Sequence, residues 1–456
     1  LTTGGPELPA VAADLPARAG AAGGGRAVPW SLVRAGLVVA PAMAVANGLN
    51  YAYSLAMARL LGPSGYGALG ALLALVVIGT VPGYALQAVV ARHTALRAAS
   101  PATPARGLEA GGAAVDRAVA ELWSRTLATV TGVGVALGLA TVAAGPWLSG
   151  YLRLGSLAPT VWLAAAVAPL PVLAAVQGML QGRERFAGLA AVLLSAAAGK
   201  LAAGVTLVEA GAGVSGALAG AAAGSLAALL LALAWVRPTL VRARRHQAPA
   251  PAGTGATRLL PWRLGREVVA AAVAILGLLL LANVDVLLAR HYLDAPASGL
   301  YAAGAVVAKI AYWAPQFVVT IVFPRLCTSD DHRRLLGRAA AAIAGFGGLL
   351  VAAAAAAPHL AATLPFGQAY LAVGPVLPLF AALGTCLALV QLMLFSGIAT
   401  ADPRLNRVLL AAVVAEIGVS SLLLHGSVVQ IVGVALAAAA AMLAVGWLVE
   451  RRPGRP

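Results

Sequence analysis

The sequence predicts an all-α polytopic membrane protein, with about twelve transmembrane helices in two pseudo-symmetric six-helix bundles around a central cavity. Three observations predict it. The 456 residues are 61% hydrophobic and 10% charged, with mean hydropathy +0.91, whereas soluble domains are about half apolar and about a quarter charged. Apolar runs near the twenty residues that cross ~30 Å of hydrocarbon recur along the chain. Arginine is distributed unevenly between alternate loops, as the positive-inside rule requires. The alternating short segments of a membrane β-barrel are missing.

Residues 1–33 are rich in Gly, Ala and Pro and read as a disordered cytoplasmic tail rather than a signal peptide, because the first apolar run is too long for one. Six spans follow, at roughly 34–57, 66–90, 123–147, 158–181, 187–208 and 213–236, forming an N-terminal bundle over 34–236. An Arg-rich cytoplasmic linker occupies 237–267. Six more spans, at roughly 268–289, 299–323, 338–358, 371–397, 406–425 and 429–449, form a C-terminal bundle over 268–450, and 451–456 is a cytoplasmic tail. With both termini inside, 26 arginines fall on the inner side and only Arg59, Arg153 and Arg290 on the outer. This bias accounts for the net charge of +16 without nucleic acid as a partner. Trp30, Trp123, Trp147, Trp162, Trp235 and Trp447 fall at span ends, where an interfacial belt is expected. The Arg and Ala bias reads as a high-GC bacterial genome, which places the chain in a bacterial cytoplasmic membrane.

The halves repeat. Arg59 and Tyr66 at the first junction correspond to Arg290 and Tyr301 at the seventh, Pro82 and Arg92 to Pro315 and Arg325, and Gln177 to Gln391. Six spans per repeat make both halves enter from the same side, a parallel repeat about the membrane normal. Pro82 and Pro315 interrupt matching spans, which makes them hinge candidates, static kinks being the plain alternative.

Enzyme signatures are absent: Gly199-Lys200 lacks the rest of a phosphate-binding loop, and no metal-ligand cluster or cofactor motif is present. Cys327 and Cys386 are too few for a disulfide framework. Polarity inside the spans is the informative feature, since buried ionisable groups are costly and face cavities or partners. Lys200, Asp285, Lys309 and Glu416 fall mid-span. Lys309, Tyr312, Trp313 and Gln316 share one helical face, as do Asn47, Asn50, Tyr51 and Ser54, and as do Thr80, Tyr84 and Gln87. These stripes read as the lining of one central cavity, with Arg59 at its edge. Interhelical bonding is the alternative for the stripes. Lys200–Glu416 and Asp285–Lys309 ion pairs are alternatives for the charges, and interfacial snorkelling for Arg59.

Over about 34–450 the chain resembles the polysaccharide-type flippases of the multidrug/oligosaccharidyl-lipid/polysaccharide exporter superfamily. The likeness is carried by Ala58-Arg59-Leu60-Leu61-Gly62-Pro63-Ser64-Gly65-Tyr66-Gly67 and by Gly178-Met179-Leu180-Gln181-Gly182-Arg183-Glu184-Arg185-Phe186. A third block runs from Asp285 through Gly299, Tyr301, Lys309 and Pro315 to Phe323-Pro324. The resemblance implies two six-helix bundles whose first two helices line the cavity. It also implies alternating access that carries lipid-linked sugars, such as O-antigen precursors, from the inner to the outer leaflet. In relatives that handle lipid pyrophosphates the cavity is cationic; Lys200, Lys309 and Arg59 would supply that charge here. Implied partners are the lipid-linked sugar, the bilayer, and glycosyltransferases or a polymerase of the same pathway. Two alternatives stand beside this: a cation-coupled multidrug antiporter of the same superfamily, using Asp285 and Glu416, and a non-transporting scaffold for glycosyltransferases.

Overall fold

The computed structural model describes residues 30–81, 83, 86–87, 90–91, 94, 108–245, 273–315, 332–399 and 404–451. These are helical throughout apart from turns and short connections. Among them, eight helices are long and apolar enough to cross a membrane, or nine if the bent pair Val273–Leu281 and Val284–Tyr292 is one span. Length and apolarity alone therefore do not reach the expected twelve, and two long helices account for part of the difference.

The first long helix, α1 (Trp30–Gly79), begins within the segment expected as tail, because Trp30, Leu32 and Val33 extend the apolar run by a turn. Its Pro41–Gly79 portion would stretch about 60 Å at 1.5 Å per residue, far more than one crossing needs. Gly62 breaks it at φ 62° and ψ 177°, a conformation that glycine adopts at little cost. Pro63 then opens the next helix, where its missing N–H is no loss. The Ser54 and Tyr66 side chains meet across this break, so the chain folds back at one residue rather than through the expected loop at 58–65. The other long run, Phe186–Pro238, breaks between α6 (Phe186–Leu207) and α7 (Gly213–Arg245), at Gly211 and Gly213, both with positive φ. Gly204 on α6 and Gly220 and Gly224 on α7 bring the two backbones together, since a Cβ on Gly220 would overlap Gly204. Small residues at such spacing are how membrane helices approach closely. Helix α7 continues to Arg245 because Leu, Ala and Arg sustain a helix, so the linker begins later than 237. Residues 246–267 of the linker lie outside the described residues.

Between these runs, α2 (Leu108–Ala143) ends earlier than the expected span, and Trp147 lies on a separate short helix, α3 (Gly145–Tyr151). Trp123 opens the membrane-length stretch of α2, as expected, but is fully buried rather than lipid-facing and donates to the Thr94 hydroxyl at 3.2 Å. Trp147, Trp162 and Trp235 are exposed. The fourth span is α4 (Ala158–Val167) joined to α5 (Leu170–Gly182) across Ala168 and Pro169.

In the second half, α8 (Val273–Leu281) and α9 (Val284–Tyr292) are bent by 42° from one another at Ala282–Asn283. Then come α10 (Ala295–Trp313), α11 (His332–Ala356), the short α12 (Pro358–Phe366) and a 3-10 segment, Gln368–Val376. The chain ends with α13 (Leu377–Ala399), α14 (Arg404–Leu422) and α15 (Val428–Arg451). Helix α10 is capped by Asp294, whose carboxylate accepts from the Ala297 N–H at 2.7 Å. It starts four residues before the expected span.

The halves meet mainly along α1 and α10. A Cβ on Gly67 would overlap Ser298, and one on Gly299 would overlap the Pro63 carbonyl, so glycine on both sides permits the contact. The largest apolar cluster runs through this seam, joining Tyr53, Leu69 and Leu72 to Val286, Tyr301 and Phe380. The end of the molecule that carries the Gly62 break, the α9–α10 connection and Arg59 and Arg290 is hereafter the junction end.

Candidate functional site

Asn50, twelve residues from Gly62, and Lys309, fourteen from Ala295, both lie about 20 Å from the junction end at helical rise. At that depth α1 and α6 of one half meet α10 of the other. The Lys200 ammonium donates to Asn50 Oδ1 at 3.2 Å and lies 4.3 Å from the centre of the Tyr53 ring. Asn50 in turn donates to the Ala46 carbonyl at 2.9 Å, so its carbonyl oxygen is aimed at the lysine. Next to it on α1, the Tyr51 phenol donates to the Lys309 backbone carbonyl at 3.3 Å, tying the halves together. Tyr53 is fixed by its bond to the Ala217 carbonyl on α7, 2.8 Å, and by the bare Gly204 beneath its ring. Lys309, on α10, interacts electrostatically with Lys200 and with Asp285. One lysine from each half thus belongs to this polar seam, with an aromatic face beneath Lys200.

A second polar group is enclosed within the C-terminal half. Asp285 on α9 is 4% exposed and Glu416 on α14 is 1% exposed, and the two carboxylates interact electrostatically. Asp285 Oδ2 accepts from the Tyr301 phenol at 2.8 Å. Asp285 Oδ1, both Glu416 oxygens, Asn283 Oδ1 and Ser420 Oγ have no hydrogen-bond partner. Buried polar atoms are seldom left unpaired, and these five lie at the start of α9 and on α14, which pack against each other. The anticipated ion pairs are not formed: Lys200 bonds Asn50, and neither lysine donates to Asp285 or Glu416. For Lys200 and Glu416 helix geometry explains this, because α14 packs against α9 and α15 whereas α6 packs against α1 and α7; Asp285 and Lys309 stand on the neighbouring helices α9 and α10 and attract each other without a direct bond.

The remaining candidates disperse. Asn47 is exposed and Gln87 half-buried. The span 8 stripe divides, with Tyr312 buried and Trp313 37% exposed, their rings touching edge-on at 4.8 Å. Arg59 is at the junction end, bonded to backbone carbonyls of α12. Pro315 is buried in the turn that ends α10. Tyr84, Gln316 and Pro82 lie outside the described residues. Sequence reasoning overlooked Tyr53, Asn283 and Ser420 as site residues and used Tyr301 only as a repeat marker. Ser420 stands one helical turn from Glu416, a spacing that could have revealed it.

No protein-family model matches the chain, and no curated protein is similar enough to match. Solved structures do. Lipid II flippase MurJ in an inward closed conformation superposes with TM-score 0.66 at 10% identity, over 91% of this chain and 88% of that one. A MATE family multidrug resistance transporter of the MOP superfamily, in its inward-facing conformation, gives 0.63 at 13% identity, over 88% and 94%. The eukaryotic MATE transporter AtDTX14 gives 0.60 at 14% identity, over 93% and 96%. The chain therefore has the multi-pass membrane fold of the MOP-superfamily transporters, shared with the MATE proteins and MurJ.

Proposed function

We propose that the protein is a flippase that moves a lipid-linked oligosaccharide, or a related cell-envelope polysaccharide precursor, across the bacterial cytoplasmic membrane by alternating access. The observation that supports this reading is that Lys200 and Lys309, one from each half, interact electrostatically and neither bonds a carboxylate directly, Asp285 attracting Lys309 without a hydrogen bond. Lysine meets phosphate as a point charge, and a phosphate between the halves would relieve the repulsion of two ammonium groups. A sugar headgroup cannot enter hydrocarbon without losing its hydrogen bonds. Asn50, Tyr51 and Tyr53 supply replacements and a stacking face. Because the lysines come from different halves, rocking of one half against the other changes their separation and so the grip on the phosphate.

Asp285 and Glu416 favour a second reading, a cation-coupled multidrug antiporter. Their oxygens are enclosed within one half rather than set between the halves. This suits a coupling cation better than a bulky drug, and serves a cation-driven flippase equally well.

Deletion of the gene, followed by analysis of lipid-linked sugars, tests the proposal. A lipid-linked saccharide should accumulate on the inner leaflet. Unchanged saccharide lipids, together with loss of gradient-dependent dye efflux, would overturn it in favour of the antiporter.

A further inference from the structure

The arginine matched between the repeats does the same thing in each half, toward the opposite half. In the N-terminal half, α2 is followed by the short helix α3, which has proline in its first turn. In the C-terminal half, α11 is followed by the short helix α12, again with proline in its first turn. A residue with positive φ follows each short helix, Gly367 at 97° directly after α12 and Arg153 at 51° two residues after the end of α3. Such an end leaves backbone carbonyls exposed along the negative pole of the helix.

Arginines from the opposite half take those carbonyls. Arg290, on α9, donates from Nε to the Leu152 carbonyl at 2.8 Å and from Nη2 to the Arg153 carbonyl at 3.0 Å. Its Nη1 bonds Ser298 Oγ at 3.1 Å, which fixes the guanidinium plane. His291 extends the contact, with Nδ1 2.9 Å from the Tyr151 carbonyl and its ring stacked on Tyr151 at 4.1 Å. Arg59, on α1, donates from Nε to the Pro365 carbonyl at 3.0 Å and from Nη2 to the Leu364 carbonyl. Beside it, the Tyr370 phenol donates to the Ala58 carbonyl at 2.9 Å. Ordinary helix capping needs no partner from another bundle. Here both donors cross the seam, in opposite directions.

We infer that Arg59 and Arg290 form a reciprocal pair of latches that hold the junction end closed, and that this end opens only when both release. Their chemistry explains why arginine stands at these positions. A planar fork engages two successive carbonyls at once, and a cation is favoured at a helix C-terminus. Backbone carbonyls, unlike carboxylates, bind such a cation without forming a full ion pair, so the contact can be broken and remade in each cycle. Arg153 contributes too: a left-handed conformation is disfavoured for a residue with a Cβ, and its carbonyl is held by Arg290. The inference rests on the proposed function only for alternating access and not for any substrate.

The test is a distance measurement that needs no substrate. In protein with Cys327→Ser and Cys386→Ser, spin labels are attached through Ser156→Cys and Gln368→Cys, exposed positions on opposite halves at the junction end. Pulsed electron–electron resonance in nanodiscs should give one short distance population. Arg59→Gln and Arg290→Gln should each add a longer population, and the double variant should make it the majority. A folded double variant with the original distribution would overturn the latch. If Arg290→Gln does not insert, Arg59→Gln alone decides, because its side chain is exposed and removable: an unchanged distribution in that variant likewise overturns the proposal. Loss of saccharide transport with correct latch behaviour would count against the substrate and leave the latch standing.

Discussion

Glu416 is the most deeply buried carboxyl group among the described residues. Burying a charge without a partner costs several kcal/mol, and both of its oxygens lack one. Asp285 interacts with it electrostatically, and Asn283 and Ser420 also present unpaired buried oxygens, a chemistry that would suit a small hard cation such as sodium. A ligand held only by the folded state stabilises it by about 2.7 kcal/mol at a hundred times its Kd. The melting temperature of wild-type protein should therefore rise with sodium at fixed pH and ionic strength, and that of Glu416→Gln should not. Equal responses would remove the cation from this site. At this scale the sequence was half legible. The cost of burying charge singled out Lys200, Asp285, Lys309 and Glu416; the two carboxylates are buried and the two lysines half-buried. Their partners were not legible, because pairing depends on which helices pack together, and hydropathy carries no such information. Tyr53 looked like an ordinary span residue and is the platform beneath Lys200.

Helix boundaries were legible where apolarity changes sharply and obscure where it does not. The spans at 187–208 and 213–236 match α6 and the start of α7 because Gly211 and Gly213 end one run and begin another. Helix α3 was hidden inside the third span, since Trp147 and Leu148 continue the apolar run past the turn at Ala144. The first junction was expected as a loop of several residues, whereas Gly62 and Pro63 accomplish it alone. The glycine seam between α6 and α7 gives a direct test of packing. Gly220→Leu would drive a side chain into the Gly204 backbone, at a cost of about 1–3 kcal/mol from overpacking. Gly433→Ala, in α15 with nothing within 4 Å of a new Cβ, should instead stabilise by up to about 1 kcal/mol through helix propensity. Thermal unfolding in detergent should separate the two variants in sign, and like signs would mean that the seam does not bear on stability.

Over the whole molecule, the repeat was legible in a few matched residues, and the structure extends it to the short helices α3 and α12 with their first-turn prolines. Orientation rests on arginine counting. Reporter fusions after residue 245 should read cytoplasmic and those near residue 153 external, and the reverse at both would invert the molecule. Mean hydropathy and loop charge carry the fold because the bilayer admits few architectures. They are silent on cargo, which in the proposed flippase is set by a handful of side chains at the seam. The claim that those side chains grip a lipid-linked phosphate is tested most directly by reconstitution. Purified protein in liposomes, given a fluorescent oligosaccharide joined to lipid through phosphate, should move it between leaflets. Lys309→Ala should slow that movement more than tenfold while inserting normally. Movement by Lys309→Ala at the wild-type rate, or none by the wild type, would contradict the account.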